Sequence, residues 1–386
     1  MAIENWQRAG FGIYVHWPFC QAKCPYCDFN SHVIANVDQS VWLSAYLSEL
    51  DRYAAMTPDR VVSSAFFGGG TPSLMDPDIV AKIIERVRRN WRCTNDIEIT
   101  LEANPTSVEA GRFAGYRDGG VSRVSMGIQA LNDNDLRALG RLHSVSEAEA
   151  AFDIARSVFE RVSFDLIYAR QDQSLNQWKA ELTQALGMAV DHLSLYQLTI
   201  EAGTAFGDRF DRGKLGGLPT DDTAADMYEL TQDLTGEAGF GGYEVSNHAK
   251  LDQESRHNLI YWRGGDYIGV GPGAHGRFDL TDGRIATETH LSPQTWLSSV
   301  HEGGNGEYAR DHLSVEDQAT EYVMMSLRLN EGCDLSHPVL IASDTISINN
   351  INKLQESDLV MLGGDRLVVP PKSRILLNSI LAELLT

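Results

Sequence analysis

The sequence predicts an α/β fold: an open, partial (β/α)6 barrel related to the TIM barrel, followed by a small α-rich C-terminal domain. Two observations carry this prediction. Short apolar, β-prone runs alternate with amphipathic helical periodicity, and the alternation repeats six times in the first half of the chain. Such repeats imply parallel strands joined by right-handed crossovers. Six units are too few for a closed eight-stranded barrel, so we expect an open one.

Each predicted element follows from its local pattern. Strands are predicted where apolar runs lie between turn signals, at Phe11–His16, Val62–Phe67, Ile97–Glu102, Arg123–Ile128, Val162–Tyr168 and His192–Leu198. Helices are predicted from the 3.6-residue period, at roughly Gln39–Met56, Pro77–Trp91, Ser107–Tyr116, Asp133–Gly140, Ser146–Phe159 and Leu175–Gly187. Ser146 and Glu149 indicate a capping box. The Gly-rich stretch 203–219 is predicted to be a long loop.

At 386 residues the chain can bury one large core, or one core with an appended small domain. We predict a barrel over residues 1–240, a connecting region over 241–310 and a C-terminal domain over 311–386. The last part combines a helical stretch, the hairpin-like LVMLGGDRLVV and an apolar helix, a pattern typical of a winged-helix-type domain.

The first strand leads into the most informative motif, a loop with Cys20, Cys24 and Cys27 in C-x3-C-x2-C spacing. Three thiolates on one short loop can converge on a metal centre. Zinc usually takes four ligands, and no fourth cysteine or obvious histidine pair lies nearby. A [4Fe–4S] cluster held by three cysteines keeps one iron free to bind a small chelating molecule. Two alternatives remain. One is a zinc site completed by a distant residue, and the other is a set of structural thiols, or a disulfide with one spare cysteine.

Composition limits the partners and the compartment. The net charge of −21 argues against a nucleic-acid partner, because there is no basic surplus to neutralise phosphates. No secretory signal and no apolar stretch long enough for a transmembrane segment are visible, which leaves only peripheral membrane contact open. Five cysteines form no disulfide framework, and an oxygen-sensitive cluster needs a reducing compartment, so we expect a cytoplasmic protein.

Polar or Gly-rich residues occur where the predicted strands end: the cysteine loop, Gly68–Thr71, Glu102–Asn104, Gln129, Asp165 and Gln197. Because parallel strands bring their carboxyl ends to one face, these positions predict a shared site. The glycines would let a ligand approach the backbone, although a tight turn alone would also explain them. Glu102 could accept hydrogen bonds from ribose hydroxyls or an amino group, or could be a solvated strand-end acid.

The cysteine loop, with Tyr26 before the third cysteine, resembles the radical S-adenosylmethionine (SAM) superfamily. YVHWPFC and CPYCDFNSH are similar to its branch containing oxygen-independent coproporphyrinogen III oxidase (HemN) and the heme chaperone HemW. The resemblance implies a [4Fe–4S] cluster on Cys20, Cys24 and Cys27, with SAM chelating its open iron. It further implies that the cofactor-binding residues are Tyr14, Tyr26, Gly69, Gly70, Thr71, Glu102, Gln129, Arg141 and Asp165. An arginine at position 141 suits bidentate pairing with the SAM carboxylate, whereas the alternative is a surface charge.

The motif His257–Asn258–x–x–Tyr261–Trp262 is the most distinctive one outside the predicted barrel. The resemblance makes His257 a candidate heme ligand, because histidine can ligate heme iron and aromatic rings can pack on a porphyrin. A purely structural packing and hydrogen-bonding motif is the alternative, and the sequence leaves both open.

Oxidases of this branch carry a fourth cysteine, in C-x3-C-x2-C-x-C, where this chain has Phe29. They also have a longer segment before the loop, whereas 19 residues precede Cys20 in this chain. The resemblance therefore favours a heme chaperone that binds heme and delivers it to respiratory hemoproteins. An electron donor is a further expected partner. The alternatives are an oxygen-independent coproporphyrinogen III dehydrogenase, which is a radical SAM oxidative decarboxylase, and a non-redox metal-binding scaffold.

Overall fold

The computed structural model describes residues 4–34 and 36–385, without the side chains of residues 107 and 108. The strands are β1 Phe11–Trp17, β2 Phe19–Cys20, β3 His32–Val33, β4 Val61–Gly69, β5 Arg92–Ala103, β6 Arg123–Gln129, β7 Arg161–Tyr168, β8 His192–Gln197, β9 Gly241–Gly242, β10 Asn247–Ala249, β11 Asp266–Val270, β12 His275–Leu280, β13 Gly283–Thr289, β14 Glu307–His312, β15 Cys333–Asp334, β16 Met361–Gly363 and β17 Arg366–Val368.

The helices are α1 Asn5–Ala9, α2 Gln39–Met56, α3 Pro77–Asn90, α4 Ser107–Ala110, α5 Phe113–Asp118, α6 Asp133–Ala138, α7 Val145–Val158, α8 Leu175–Met188, α9 Ala205–Asp211, α10 Asp221–Glu237, α11 Arg256–Trp262, α12 Pro293–Gly303, α13 Val315–Ser326, α14 Pro338–Ile341, α15 Ile348–Glu356 and α16 Leu377–Leu384. Within the described ranges, every helix is too short or too polar to cross a membrane.

The six predicted strands lie side by side in one sheet of twelve strands, in the order β14-β13-β12-β11-β1-β4-β5-β6-β7-β8-β10-β9. From β1 to β8 each of the six pairs in parallel with the next along the chain. Helices pack over the sheet, which explains why β1 is buried along most of its length. The sheet ends at β14 and β9 in the described part of the chain, so the barrel is open, as predicted.

Residues 241–310 contribute six strands to this same sheet, rather than a separate layer. β11 pairs in parallel with β1, and β12 to β14 continue outward in antiparallel pairing. Ile268, Phe278 and Trp296 accordingly belong to the main hydrophobic core. The C-terminal part has its own core, with Val323, Leu354 and Leu367 among its buried residues. Its small sheet has the order β15-β17-β16.

Three local predictions are wrong. The capping box lies two residues earlier, where Ser144 caps α7 and Glu147 returns the hydrogen bond. The stretch predicted as a loop contains α9, capped by the Thr204 hydroxyl. The single helix predicted over residues 107–116 is divided into α4 and α5, with a turn at residues 111–112 that includes Gly111, a poor helix former.

Candidate functional site

The cysteine loop leaves the carboxyl end of β1 and is held by the short parallel pairing of β2 with β3. Cys20, Cys24 and Cys27 are free thiols, partly exposed, and all three line one open cavity of about 970 Å³, called here the cysteine cavity. Burial raises the pKa of the Cys20 and Cys27 thiols. The Thr71 hydroxyl donates to Cys20 Sγ over 3.4 Å, and this contact favours the thiolate.

The fold brings most of the predicted site residues to this cavity. Besides the three cysteines, its lining includes Tyr26, Gly69, Gly70, Thr71, Glu102, Gln129, Arg141 and Asp165. Tyr14 and His257 are not in the lining; they lie along a second cavity inside the barrel. The polar residues at the strand ends therefore lie together in the cysteine cavity, as the strand-end rule predicts. Tyr14, which lies within β1, faces the barrel interior instead.

The glycine segment after β4 is bonded directly to the start of the cysteine loop. Gly70 N–H donates to the carbonyl of Trp17 over 2.7 Å, and Thr71 N–H donates to that of Phe19 over 2.9 Å. A Cβ on Gly70 would lie 2.7 Å from the Phe19 oxygen, and Gly69 has a φ of +108°. The packing of the end of β4 against the start of the cysteine loop thus requires both glycines, whether or not a ligand binds there.

Arg141 connects the cysteine loop with the ends of β5 and β6. Its Nη2 donates to Asn104 Oδ1 over 2.6 Å and to the carbonyl of Gly127 over 2.7 Å, and its Nη1 lies 3.5 Å from Cys24 Sγ. Its Nε is buried and has no partner in the described residues. The guanidinium is therefore an inward-facing cation rather than a surface charge, and two of its five N–H donors, one on Nε and one on Nη1, are not used by these contacts.

Asn104 was not singled out as a site residue, although it lies in the polar strand-end group after Glu102. Its Nδ2 donates to Thr71 Oγ1 over 3.1 Å while its Oδ1 accepts from Arg141. Through these bonds Asn104 connects Thr71, which contacts Cys20, with Arg141, which contacts Cys24. The available signal was its position at a strand end, which did not reveal this bridging role.

Glu102 and Asp165 form a carboxyl pair inside the barrel mouth. Gly69 N–H donates to Glu102 Oε2 over 3.2 Å. Burial, followed by the charge of Asp165, raises the pKa of Glu102 to about 8. Burial raises the pKa of Asp165 to about 6, although hydrogen bonds from Ser194 and Ser125 oppose this shift. At neutral pH Glu102 therefore keeps its proton while Asp165 is largely ionised, and a cationic ligand would favour the ionisation of Glu102 as well.

The second cavity, called here the interior cavity, has a volume of about 650 Å³ and lies inside the barrel. His257 lines it from α11 but is saturated: Nδ1 pairs with Ser64 Oγ at 2.7 Å and Nε2 with Tyr261 OH at 2.6 Å. Its ring stacks on Phe66, with centroids 5.1 Å apart. Burial lowers the pKa of His257 to about 3, so the ring is neutral. This geometry matches the structural alternative for the motif.

The donor set of the cysteine cavity fits an iron–sulfur cluster. Across the described residues, no three His, Cys, Asp or Glu side chains are grouped to hold a single metal ion. A [4Fe–4S] cluster instead takes one thiolate on each of three irons, so its cysteines line a cavity rather than meet at a point. The unpartnered Nε of Arg141 and the carboxyl pair supply the charges that a chelating, carboxylate-bearing cofactor would need.

Comparison with known proteins agrees with this geometry. The model of the radical SAM superfamily matches residues 14–181. The heme chaperone HemW of Escherichia coli K12 is 40% identical over 324 residues, covering 83% of this chain and 82% of that protein. HemW of Haemophilus influenzae is 35% identical over 385 residues, covering 97% of each. The mitochondrial radical S-adenosyl methionine domain-containing protein 1 of Danio rerio is 37% identical over 384 residues, covering 97% of this chain and 86% of that protein.

Among solved structures, coproporphyrinogen III oxidase (HemN) from Escherichia coli superposes with a TM-score of 0.81. The superposition covers 97% of this chain and 90% of the HemN chain, and the two sequences are 23% identical. This likeness establishes a common fold.

Proposed function

Because the chain belongs to the HemN/HemW branch of the radical SAM superfamily, we propose that it is a heme chaperone that carries a [4Fe–4S] cluster and SAM. Membership of the superfamily implies the cluster and SAM. The observation that carries the chaperone function is the match to HemW of Haemophilus influenzae over 97% of both chains.

The cluster would be held by Cys20, Cys24 and Cys27, and it would supply an open iron position and a source of one electron. Arg141, which lines the cysteine cavity, would orient the SAM carboxylate, and Asn104 would keep that guanidinium in place. Glu102 and Asp165 would face the positively charged part of SAM. The remaining cofactor contacts are proposed for Tyr26, Gly69, Gly70, Thr71 and Gln129, which share the cavity lining, and for Tyr14, which lies deeper in the barrel.

Phe29 supports a chaperone rather than an oxidase. It occupies the position of the oxidases' fourth cysteine, lines the cysteine cavity and is 59% exposed. An exposed aromatic ring beside the cluster cannot replace a thiolate as a metal ligand, but it offers an apolar surface. We propose that the heme is bound without ligation by His257, because both ring nitrogens are already hydrogen-bonded.

The proposed partners are heme, a respiratory hemoprotein that accepts it, and an electron donor for the cluster. A reducing compartment such as the cytoplasm suits three free thiols and an oxygen-sensitive cluster. The alternative, oxidative decarboxylation of coproporphyrinogen III, is favoured by the fold shared with HemN.

The test is anaerobic reconstitution with iron and sulfide, followed by parallel assays on one preparation. Heme is titrated in while the Soret absorbance is followed, and coproporphyrinogen III is incubated with SAM and a reductant. We expect stoichiometric heme uptake and no decarboxylated product. Product formation without heme binding would replace the chaperone with the oxidase, and a protein free of iron and sulfide would remove both.

A further inference from the structure

The eleven histidines of the chain differ in whether their rings could reach the iron of a bound heme. Five are buried: His16, His143, His192, His248 and His257. Three are half-buried and already engaged, since His32 is hydrogen-bonded to Asn30 while His290 and His337 pack against tyrosine rings. The remaining three are exposed: His275, His301 and His312. An exposed imidazole can reach the iron of a heme bound at the surface, so these three are the candidate ligands.

His275 differs from the other two because it lies at the same end of the sheet as the cysteine loop. It begins β12, and a short turn joins it to the carboxyl end of β11. β11 runs parallel to β1, whose carboxyl end leads into the cysteine loop. His312 ends the antiparallel strand β14 and so lies at the opposite end of the sheet. His301 lies in α12 and is hydrogen-bonded to Ser44 Oγ at 3.1 Å.

Asn30, at the end of the cysteine loop, fastens the turn before His275 to that loop. Its Nδ2 donates to the carbonyls of Pro272 and Leu291, each over 2.9 Å. Gly273 leaves room for the amide, since a Cβ there would lie 2.5 Å from Asn30 Nδ2. The turn before His275, the segment that carries Leu291 and the end of the cysteine loop are therefore held together.

Large apolar side chains are exposed around this junction. Phe29, Val33 and Ile34 are 59%, 56% and 46% exposed, and Leu291 is 66% exposed. These four residues are called here the apolar rim, and Phe29 also lines the cysteine cavity. A protein surface rarely carries such side chains in one place without a partner. The flat, apolar face of a porphyrin is a partner that suits them, because aromatic and aliphatic side chains pack on such a face.

His275 is oriented as a metal ligand by a carboxylate. It is paired with Glu288 across β12 and β13, and its Nδ1 lies 3.8 Å from Glu288 Oε1. A carboxylate near Nδ1 favours the tautomer with the proton on that nitrogen, which leaves the lone pair on Nε2. In the described part of the chain, Nε2 itself has no hydrogen-bond partner. Histidines that ligate a metal commonly have such a carboxylate at their second nitrogen.

We propose that heme lies on the apolar rim and that Nε2 of His275 ligates its iron. This assignment rests on the proposed function, because it gives a place to the same heme. The heme is then beside the cysteine cavity but outside the barrel, so the cluster and the heme can be bound together. An exposed site also suits a cargo that passes to another protein, since the receiving protein can reach it without opening the barrel.

Titration of anaerobically reconstituted protein with ferric heme tests the site, because the Soret band reports both affinity and coordination. His275→Ala removes the ligand. Its control is His312→Ala, because His312 is also exposed and has a carboxylate, that of Asp282, at 3.6 Å. Leu291→Ser removes part of the apolar rim, and its control is Leu251→Ser, in the turn after β10, where Leu251 is 85% exposed. Iron and sulfide are measured before heme is added.

We expect His275→Ala to shift the Soret band, to weaken heme binding at least about tenfold and to recover the wild-type spectrum when imidazole is added. Leu291→Ser should weaken binding severalfold without shifting the band, because the ligand stays in place. Both controls should match wild type, and cluster content should be the same in all variants. If His275→Ala does not fold, Glu288→Gln decides the question by a smaller shift of the same band.

The proposal is overturned if His275→Ala binds heme with the wild-type spectrum and affinity, or if Leu291→Ser binds heme as tightly as wild type. Either result, with normal heme uptake by the wild type, rejects this site and leaves the chaperone function standing. Wild-type protein that contains its cluster but takes up no heme rejects the chaperone function, and the site with it.

Discussion

The cysteine loop and helix α11 carry the two most distinctive motifs of the chain, yet their side chains are in opposite states. The three thiols are free, partly exposed and grouped around an open cavity. In α11, His257 is buried with both nitrogens bonded, Trp262 packs against the Arg328 guanidinium, and Arg263 beyond it pairs with Glu331.

The difference shows that a distinctive motif need not be a ligand site. Groups awaiting a ligand keep unused bonding capacity, as the thiols and Arg141 do. His257, which holds α11 against the barrel, has both ring nitrogens bonded, although Trp262 Nε1 in the same helix is buried without a partner among the described residues. For the cysteine loop and His257, the bonding state of the side chain is therefore a better guide to ligand binding than the rarity of the sequence pattern.

The largest expected effect comes from removing one thiol of the cavity. Cys24→Ala should abolish stable cluster assembly, since two remaining thiolates leave two irons without protein ligands. Iron and sulfide analysis after anaerobic reconstitution measures this directly. Cys93→Ala is the control, because Cys93 is a free thiol outside the cavity, and it should retain full iron content. Equal loss of iron and sulfide in Cys24→Ala and Cys93→Ala would show that the cysteine cavity is not where the cluster is held.

His257→Ala tests whether the α11 histidine is a structural residue rather than a heme ligand. Loss of two buried hydrogen bonds and an aromatic stack should lower the free energy of unfolding by about 3 kcal/mol. Urea denaturation of the reconstituted protein measures this loss. Tyr261→Phe, which removes one hydroxyl, should cost only about 1 kcal/mol. Heme affinity of the folded His257→Ala protein should not change; a large drop in affinity with normal stability would make His257 a ligand.

Asn104→Ala should act on SAM rather than on the fold. Without Asn104, the Arg141 guanidinium loses its 2.6 Å hydrogen bond and part of its fixed position. We expect SAM affinity to fall roughly tenfold, with iron content unchanged. Equilibrium dialysis with labelled SAM gives the affinity. Asn132→Ala, at the cap of α6, is the control for loss of an amide outside the cavity. An unchanged affinity would remove Asn104 from the site.

The last prediction concerns the dependence of stability on pH. The folded state keeps the Glu102 proton up to about pH 8, whereas the unfolded chain loses it near its ordinary pKa of 4.5. Glu102 therefore makes wild-type stability fall as pH rises between these values. Glu102→Gln should flatten that dependence, as measured by urea unfolding of cluster-free protein at pH 5.5 and 8. Exposed Glu160→Gln should keep the wild-type slope; a Glu102→Gln slope as steep as wild type would show that Glu102 is ionised.

Much of the fold could be predicted because its signals are local. The apolar runs predicted as strands correspond to β1 and β4 to β8, and their parallel pairing follows from the helices between them. The errors are local as well. Ser144 and Ser146 both precede a glutamate by three residues, so the pattern does not choose between them, and only the backbone geometry places the cap at Ser144.

The site was predicted to the extent that it lies at strand ends. Glu102, Gln129 and Asp165 reach the cysteine cavity because parallel strands end at one face. Two features of the site could not be predicted. Tyr14 lies along the interior cavity because of the side of β1 that faces the barrel interior. The bridging role of Asn104 depends on a hydrogen bond between two segments 37 residues apart.

The sequence by itself determined the kind of chemistry, because three cysteines within eight residues remain close together in any conformation of that loop. It also determined the order of the parallel strands, which repeats along the chain. Only the tertiary structure decided which polar groups are satisfied. Whether Arg141 or His257 has a free atom depends on partners that come from distant strands and helices, and no local pattern records them.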